Sequence, residues 1–157
     1  MSRHQVTPVP EGYRSVTPYM IVDGAARALD FYTRVFGAQE RMRMPAPGGR
    51  VGHAEISIGD SVIMLADEHP EMGAWAPGHY EGSPVSIHLY VPDVDATVNA
   101  AAAAGAKVIR AVQDQFYGDR SGTIEDPFGH HWHVATHKED VSPEEMTRRA
   151  AAMGRPA

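Results

Sequence analysis

Apolar positions along the chain fall into two spacings, one of strands and one of helices, and these alternate in the same order twice. From Gly24 to Phe36, the residues Ala28, Leu29, Tyr32, Val35 and Phe36 recur at i, i+1, i+4, i+7 and i+8. That spacing draws one stripe down a helix. Gly37 follows where a helix-ending glycine accepts a positive φ. Before it, Val16 to Val22 is an apolar run of strand length. After it, Gln39 to Met44 reads as a strand and Pro45 to Gly49 as a turn. Val51 to Ile58 alternates: His53, Glu55 and Ser57 face one way, Ala54, Ile56 and Ile58 the other. Gly59 and Asp60 make a hairpin turn into a strand from Ser61 to Ala66. The pattern predicts a β-α-β-β-β module over residues 15–67.

Residues 68–84 hold Pro70, Gly73, Pro77, Gly78, Gly82 and Pro84 and show no periodicity. They read as a crossover linker, packed down by Trp75 and Tyr80, with a ligand lid as the alternative. The same plan returns over residues 85–140. Val85 to Val91 is a strand with Ser86, His88 and Tyr90 on one face. Val94, Val98, Ala101 and Ala102 make a helical stripe, capped by Asp93 or Asp95 and closed by Gly105. Val108 to Val112 is a strand, Gln115 to Ile124 a mixed hairpin, Glu125 to Gly129 a turn, and His130 to Thr136 the last strand. The pairs Gly37-Ala38 and Gly105-Ala106 lie 105 − 37 = 68 residues apart and mark the repeat. In residues 141–157, Ser142, Pro143 and Glu145 occupy N-cap, N1 and N3 of a terminal helix. Met146, Ala150 and Met153 give that helix a small apolar face. Residues 1–14 read as an extended arm.

Composition narrows the function. The 157 residues suit one domain, or two small modules sharing a core. Charge is 14 − 20 = −6, which opposes duplex nucleic acid and anionic membranes as partners. No apolar run approaches the roughly 18 residues of a membrane span. The arm lacks the apolar stretch of a secretory signal, so a cytoplasmic protein is expected. Cysteine is absent, which excludes disulfides, thiolate zinc sites and a cysteine nucleophile. No phosphate-binding glycine motif follows a strand, and Ser121 sits in no nucleophile elbow. Nine histidines are left as the reservoir of acid–base and metal-ligand chemistry.

The segments VTPYMIVDGAARALDFYTRVFGA, GHAEISIGDSVIMLADE and SGTIEDPFGHHWHVATHKED, set in two β-α-β-β-β modules, resemble the vicinal oxygen chelate superfamily. This is the glyoxalase, bleomycin-resistance and dioxygenase fold, and the likeness is strongest to its PhnB-like, glyoxalase-related members. The resemblance spans about Val16 to Asp140. It implies an α+β fold in which the modules form a U-shaped, eight-stranded mixed sheet around a concave pocket, helices on the outer face, in a homodimer. It also implies metal ligands near Thr17, Met64, Ser86 and His133. Of these only His133 is a good ligand for a hard or borderline divalent ion.

Strand alternation then selects candidates for the pocket face. Thr17 and Tyr19 share a face in the first strand, His53 and Glu55 in the third, Ser86 and His88 in the fifth, His131 and His133 in the last. Glu55 is the candidate general base, provided desolvation raises its pKa; the bland alternative is pairing with a cross-strand Arg or His. Thr17, Tyr19, Met64, Ser86, His88, Phe116 and Tyr117 are candidate substrate-binding residues, with Met64 as an apolar floor and Phe116-Tyr117 at the mouth. His53, His88 and His133 are candidate ligands for zinc, manganese, nickel or iron. His4, His69 and His79 are expected in solvent, His130 and His137 in structural roles, Trp132 beneath a helix. The first expectation is a protein that binds a small organic molecule without a metal. The alternative is a metal-dependent isomerase, lyase or dioxygenase with a displaced His/Glu site.

Overall fold

The computed structural model describes residues 6–154; His4 therefore lies outside the described residues. The chain divides between Tyr80 and Glu81 into two compact units. In unit 1 the order is β1 (Tyr19–Val22), α1 (Ala25–Phe36), β2 (Gln39–Ala46), β3 (Arg50–Ile58) and β4 (Ser61–Asp67). The strands form one sheet in the order β1-β4-β3-β2, with β1 parallel to β4 and the other pairs antiparallel. All five residues of the helical stripe are buried, and α1 packs across the sheet. Leu29, Tyr32, Ile56 and Leu65 are fully buried, each stabilising the unit by about 1.5–3 kcal/mol relative to exposure.

The start of α1 is held from a distance. Gly24 caps it with φ 104°, a left-handed conformation that a side chain resists. The α1 N-cap offers no side-chain oxygen, so the carboxylate of Asp67 at the end of β4 accepts from Gly24 N and Ala25 N at 2.9 and 2.8 Å. Its other oxygen accepts from Val51 N at 2.8 Å.

Unit 2 repeats the plan with β5 (Ser86–Tyr90), α2 (Val94–Ala103), β6 (Lys107–Asp114), β7 (Asp119–Glu125) and β8 (His131–His137). Its sheet runs β5-β8-β7-β6, again with the first strand parallel to the last. Trp132, Ile124, Val134 and Val94 are fully buried, and the Trp132 indole N–H donates to Asp126 at 2.8 Å. Asp93 caps α2 by accepting from Ala96 N at 3.1 Å. Terminal α3 (Pro143–Ala152) starts as the sequence predicts, with Ser142 Oγ accepting from Glu145 N at 3.2 Å. Gly118 sits at φ 98° in the β6–β7 turn, and a Cβ there would lie 2.2 Å from the Glu139 carbonyl oxygen. The fold is α+β: two four-stranded mixed sheets and, among the described residues, three α-helices.

Several expectations need correction. The first strand begins at Tyr19, not Val16, because Pro18 has no N–H to donate; its carbonyl still accepts from Met64 N at 2.9 Å. Thr17 therefore lies before the strand. Ala102 is exposed, so the α2 stripe is narrower than predicted; Gly105, at φ 105°, closes the helix as expected, following the Ala104 C-cap. The mixed segment from Gln115 resolves into a turn followed by β7. In the linker, Trp75 stacks on His79 at 4.2 Å, and Tyr80, 62% exposed, packs edge-on against the same His79 ring at 4.9 Å. His69 is half-buried rather than solvated. On α3, Met146 and Ala150 are half-buried while Met153 stays exposed.

Candidate functional site

On the sheet face opposite α2, the register lines up polar side chains. His88 stands beside His133 across β5 and β8, and Thr123 beside His133 across β7 and β8. Arg110 on β6 stands beside Thr123, and Gln113 beside Ser121. The imidazole centroids of His88 and His133 are 6.3 Å apart, and His133 Nδ1 is hydrogen-bonded to Thr123 Oγ1 at 2.9 Å. These residues, with Tyr117 from the β6–β7 turn, line a cavity of 330 Å³.

Burial holds the His133 pKa below its ordinary value, and the positive charges of His88, Arg110 and His131 push the same way. His133 is thus a neutral imidazole at neutral pH, able to accept or donate one hydrogen bond beyond Thr123. Arg110 is exposed and forms no ion pair among the described residues. Arg120, on the adjacent strand β7, is different: Asp95 and Asp114 hold it at 2.8 and 3.2 Å.

Unit 1 presents another arrangement on the matching face. Glu55 is buried. One carboxylate oxygen accepts from the Tyr13 hydroxyl, the other pairs with His53 Nε2 at 2.8 Å. His53 Nδ1 is hydrogen-bonded to the Tyr19 hydroxyl at 2.8 Å. The Arg41 guanidinium lies 4.7 Å over the Tyr13 ring. Burial alone would raise the Glu55 pKa, but the hydrogen bonds from Tyr13 and His53 and the charges of His53 and Arg41 outweigh it, and the net direction is downward. The condition set for Glu55 as a general base, a raised pKa, is therefore not met. Its partners are a neighbour on its own strand and a tyrosine of the arm, not a cross-strand Arg or His.

The structure brings His88, His133 and Tyr117 together around the unit 2 cavity. Ser86 pairs with His131 one position further along. Phe116 packs edge-on against Tyr117 at 5.2 Å, and its carbonyl accepts from Arg149 at 3.2 Å. Tyr19, His53, Glu55 and Met64 gather in unit 1, where Met64 stands beside both Tyr19 and Glu55. Trp132 lies fully buried on the helix side, and His137 bridges Asp119 and Asp140 at 2.7 and 2.8 Å. Sequence reasoning missed Arg110, Gln113, Ser121, Thr123 and Tyr13. The alternation of Ser121 and Thr123 with Gly122 and Ile124 was available as a strand signal. Nothing local marks Arg110, Gln113 or Tyr13, whose roles come from pairing across the sheet.

The donor sets do not fit the metal that the fold family implies. Unit 2 offers two imidazoles on one face with Thr123 between the strands. In unit 1 both His53 nitrogens and both Glu55 oxygens already have hydrogen-bond partners. Among the described residues no group of three or more His, Asp or Glu side chains is placed to hold an ion. A further cavity of 380 Å³ lies at the start of α1, but its Asp67 carboxylate is occupied by three backbone N–H groups.

Two β-α-β-β-β modules, each with a polar face opposite its helix, define this class of protein: residues 14–134 match the Glyoxalase/Bleomycin resistance protein/Dioxygenase superfamily, and the chain belongs to it. An uncharacterized protein of Mycobacterium bovis is 41% identical over 143 residues, covering 89% of this chain and 94% of its own. TioX from Micromonospora sp. ML1 superposes with a TM-score of 0.60 at 27% identity, over 82% of this chain and 100% of its own. The PhnB protein from Bacillus cereus shares the fold, with a TM-score of 0.62 at 16% identity over 78% of this chain and 99% of its own. Among the described residues no helix is long and apolar enough to cross a membrane.

Proposed function

We propose that this chain binds a small organic molecule with an anionic head in the unit 2 cavity. One observation carries the reading: a guanidinium without a counter-charge, Arg110, lines the same 330 Å³ cavity as two imidazoles. Arginine presents a fixed fork of donors suited to a carboxylate or phosphonate. A neutral His133, Thr123 and Ser121 supply hydrogen bonds of either sense, and the Tyr117 ring supplies apolar contact. The cavity volume suits a ligand of modest size. The superfamily joins glyoxalases and dioxygenases with bleomycin-resistance proteins, and binding a small organic molecule is common to these readings.

The test is a thermal-shift and calorimetric comparison of aromatic and aliphatic carboxylates with their uncharged amides. Carboxylates are expected to stabilise the protein more than the amides. Arg110→Met should weaken that binding about tenfold to a hundredfold, the range of a lost charge-assisted hydrogen bond. His88→Ala should weaken it less. Equal affinity for acids and amides, or unchanged affinity in Arg110→Met, overturns the assignment.

A further inference from the structure

Unit 1 holds a hydrogen-bonded line that the cavity of unit 2 does not use: Tyr13, Glu55, His53 and Tyr19. Its ends differ. At the inner end the Glu55 carboxylate is 5% exposed, and both oxygens are engaged. At the outer end the Tyr19 ring is 50% exposed. His53 bridges them through its two ring nitrogens, both at 2.8 Å.

The chemistry of each group sets the direction of the line. An ionised carboxylate only accepts, so His53 Nε2 carries the proton that points at Glu55. In the neutral imidazole the other nitrogen is then an acceptor, and the Tyr19 hydroxyl donates to it. Tyr13 fixes the remaining oxygen of Glu55, so the carboxylate cannot turn away from His53. This is the logic of an activated hydroxyl: a hydroxyl donating to an imidazole whose far nitrogen is fixed by a carboxylate. We propose that Tyr19, His53 and Glu55 form a proton relay that makes the Tyr19 hydroxyl a general base for an acidified hydroxyl of a small organic ligand.

In that step the ligand O–H bond breaks and its proton goes to the Tyr19 oxygen. The tyrosine's own proton passes to His53 Nδ1. The ligand leaves as an anion, and the imidazolium is held against the Glu55 carboxylate. No oxidant, metal or second substrate is needed. Burial and the Glu55 charge keep the Tyr19 phenol above its ordinary pKa. It therefore holds no standing phenolate and loses its proton only as His53 takes it. Tyr19 is the catalytic residue; His53 receives the proton, and Glu55 and Tyr13 position it.

The same transfer of the phenol proton to His53 governs reaction with phenylmethanesulfonyl fluoride, in which the Tyr19 oxygen acts as a nucleophile. Tyr19 oxygen bonds to sulfur, the S–F bond breaks, fluoride leaves and the phenol proton goes to His53. Tyr80 is an internal reference of comparable exposure, at 62%; its ring packs edge-on against His79 at 4.9 Å, with no carboxylate–imidazole hydrogen-bonded line behind it among the described residues. Labelling of the whole protein, read by peptide mass spectrometry, should modify Tyr19 at least about a hundredfold faster than Tyr80, the lower edge of general-base assistance. His53→Leu should bring Tyr19 down to the Tyr80 rate with Tyr80 unchanged, and Glu55→Gln should give an intermediate rate. Tyr19 reacting no faster than Tyr80 overturns the relay. So does a fast Tyr19 in His53→Leu. Should His53→Leu change the Tyr80 rate, and so report a disturbed fold, the ratio in the unaltered protein decides alone.

Discussion

The same strand–helix plan is built twice, and the two copies differ most at the positions that match. In unit 1 the register sets Tyr19, Met64 and Glu55 side by side. In unit 2 the corresponding trio is His88, His133 and Thr123. A buried carboxylate in the first trio demands donors, and the unit supplies them from within, through His53 and Tyr13. Threonine in the second trio needs one partner, His133, and gets it. Unit 1 is thus satisfied by its own side chains. Unit 2 keeps a cavity, a neutral imidazole and a guanidinium with no carboxylate beside it. A charge placed on the third strand decides whether a repeat's polar side chains join in one line that ends at an exposed hydroxyl, or leave an open cavity with a guanidinium beside it.

The helix starts repeat the contrast on the other face. Asp67 and Thr136 stand at matching places, three residues after Met64 and His133. Asp67 accepts from three backbone N–H groups. Thr136 accepts from Val94 N at 2.9 Å and donates to the Val91 carbonyl at 2.8 Å. The sharpest way to break the comparison is Asp67→Ala. It leaves up to three N–H groups unsatisfied at ~1–3 kcal/mol each, so a loss of about 3–5 kcal/mol is expected in urea unfolding. Thr136→Ala leaves one donor and one acceptor, and about 1–2 kcal/mol is expected. Equal losses would mean that the two anchors do the same work.

Acid separates the units next. Burial opposes ionisation of Asp67, yet the N–H groups of Val51, Ala25 and Gly24 and the charge of Arg50 hold its pKa below the usual carboxylate value. A depressed carboxylate contributes stability above its unfolded pKa, near 4, and loses it as pH falls through the folded value. Glu55 has the same sign. His133 is also depressed, chiefly by burial. The unfolded chain then binds its proton first, so stability is lost as pH falls from about 6.5, the unfolded histidine value. His137, raised by hydrogen bonds to Asp140 and Asp119, works in the opposite sense and loses its contribution as pH rises. Hydrogen exchange should show β8 weakening at a higher pH than β4 as acid is added. His133→Gln should remove the higher-pH loss from β8 and leave β4 unchanged. Coincident loss in both strands would sink the distinction.

How much of this was legible beforehand depends on whether a feature is local. The α1 stripe, the alternation of Val51 to Ile58 and the Ser142 cap are written in adjacent residues, and the structure has them. The start of β1 was misjudged because an apolar run says nothing of the N–H that Pro18 lacks. The pocket face was half legible: alternation put His88 and His133 on one side, but their adjacency needs the parallel register. Arg110 reaches Thr123 across a pair of strands with a register shift beside it, which no periodicity encodes. Glu55 was found, and its direction of pKa was not, because Tyr13 lies 42 residues away.

The smallest effect tests the same contrast within single helix starts. In α1 the cap is Gly24 and the acceptor is borrowed from β4; in α2 it is Asp93, one side chain reaching Ala96 N. A local cap on an exposed helix end is worth about 1 kcal/mol, so Asp93→Ala should lower stability by about that amount. Asp93→Asn or Asp93→Ser should recover most of it, since either keeps an oxygen acceptor. Thr136 holds the Val94 N–H at the same helix start, so the two losses in unit 2 should depart from additivity by about 0.5 kcal/mol or more in the double variant. A loss in Asp93→Ala as large as that in Asp67→Ala would show that the local cap, and not the distant anchor, controls where these helices begin.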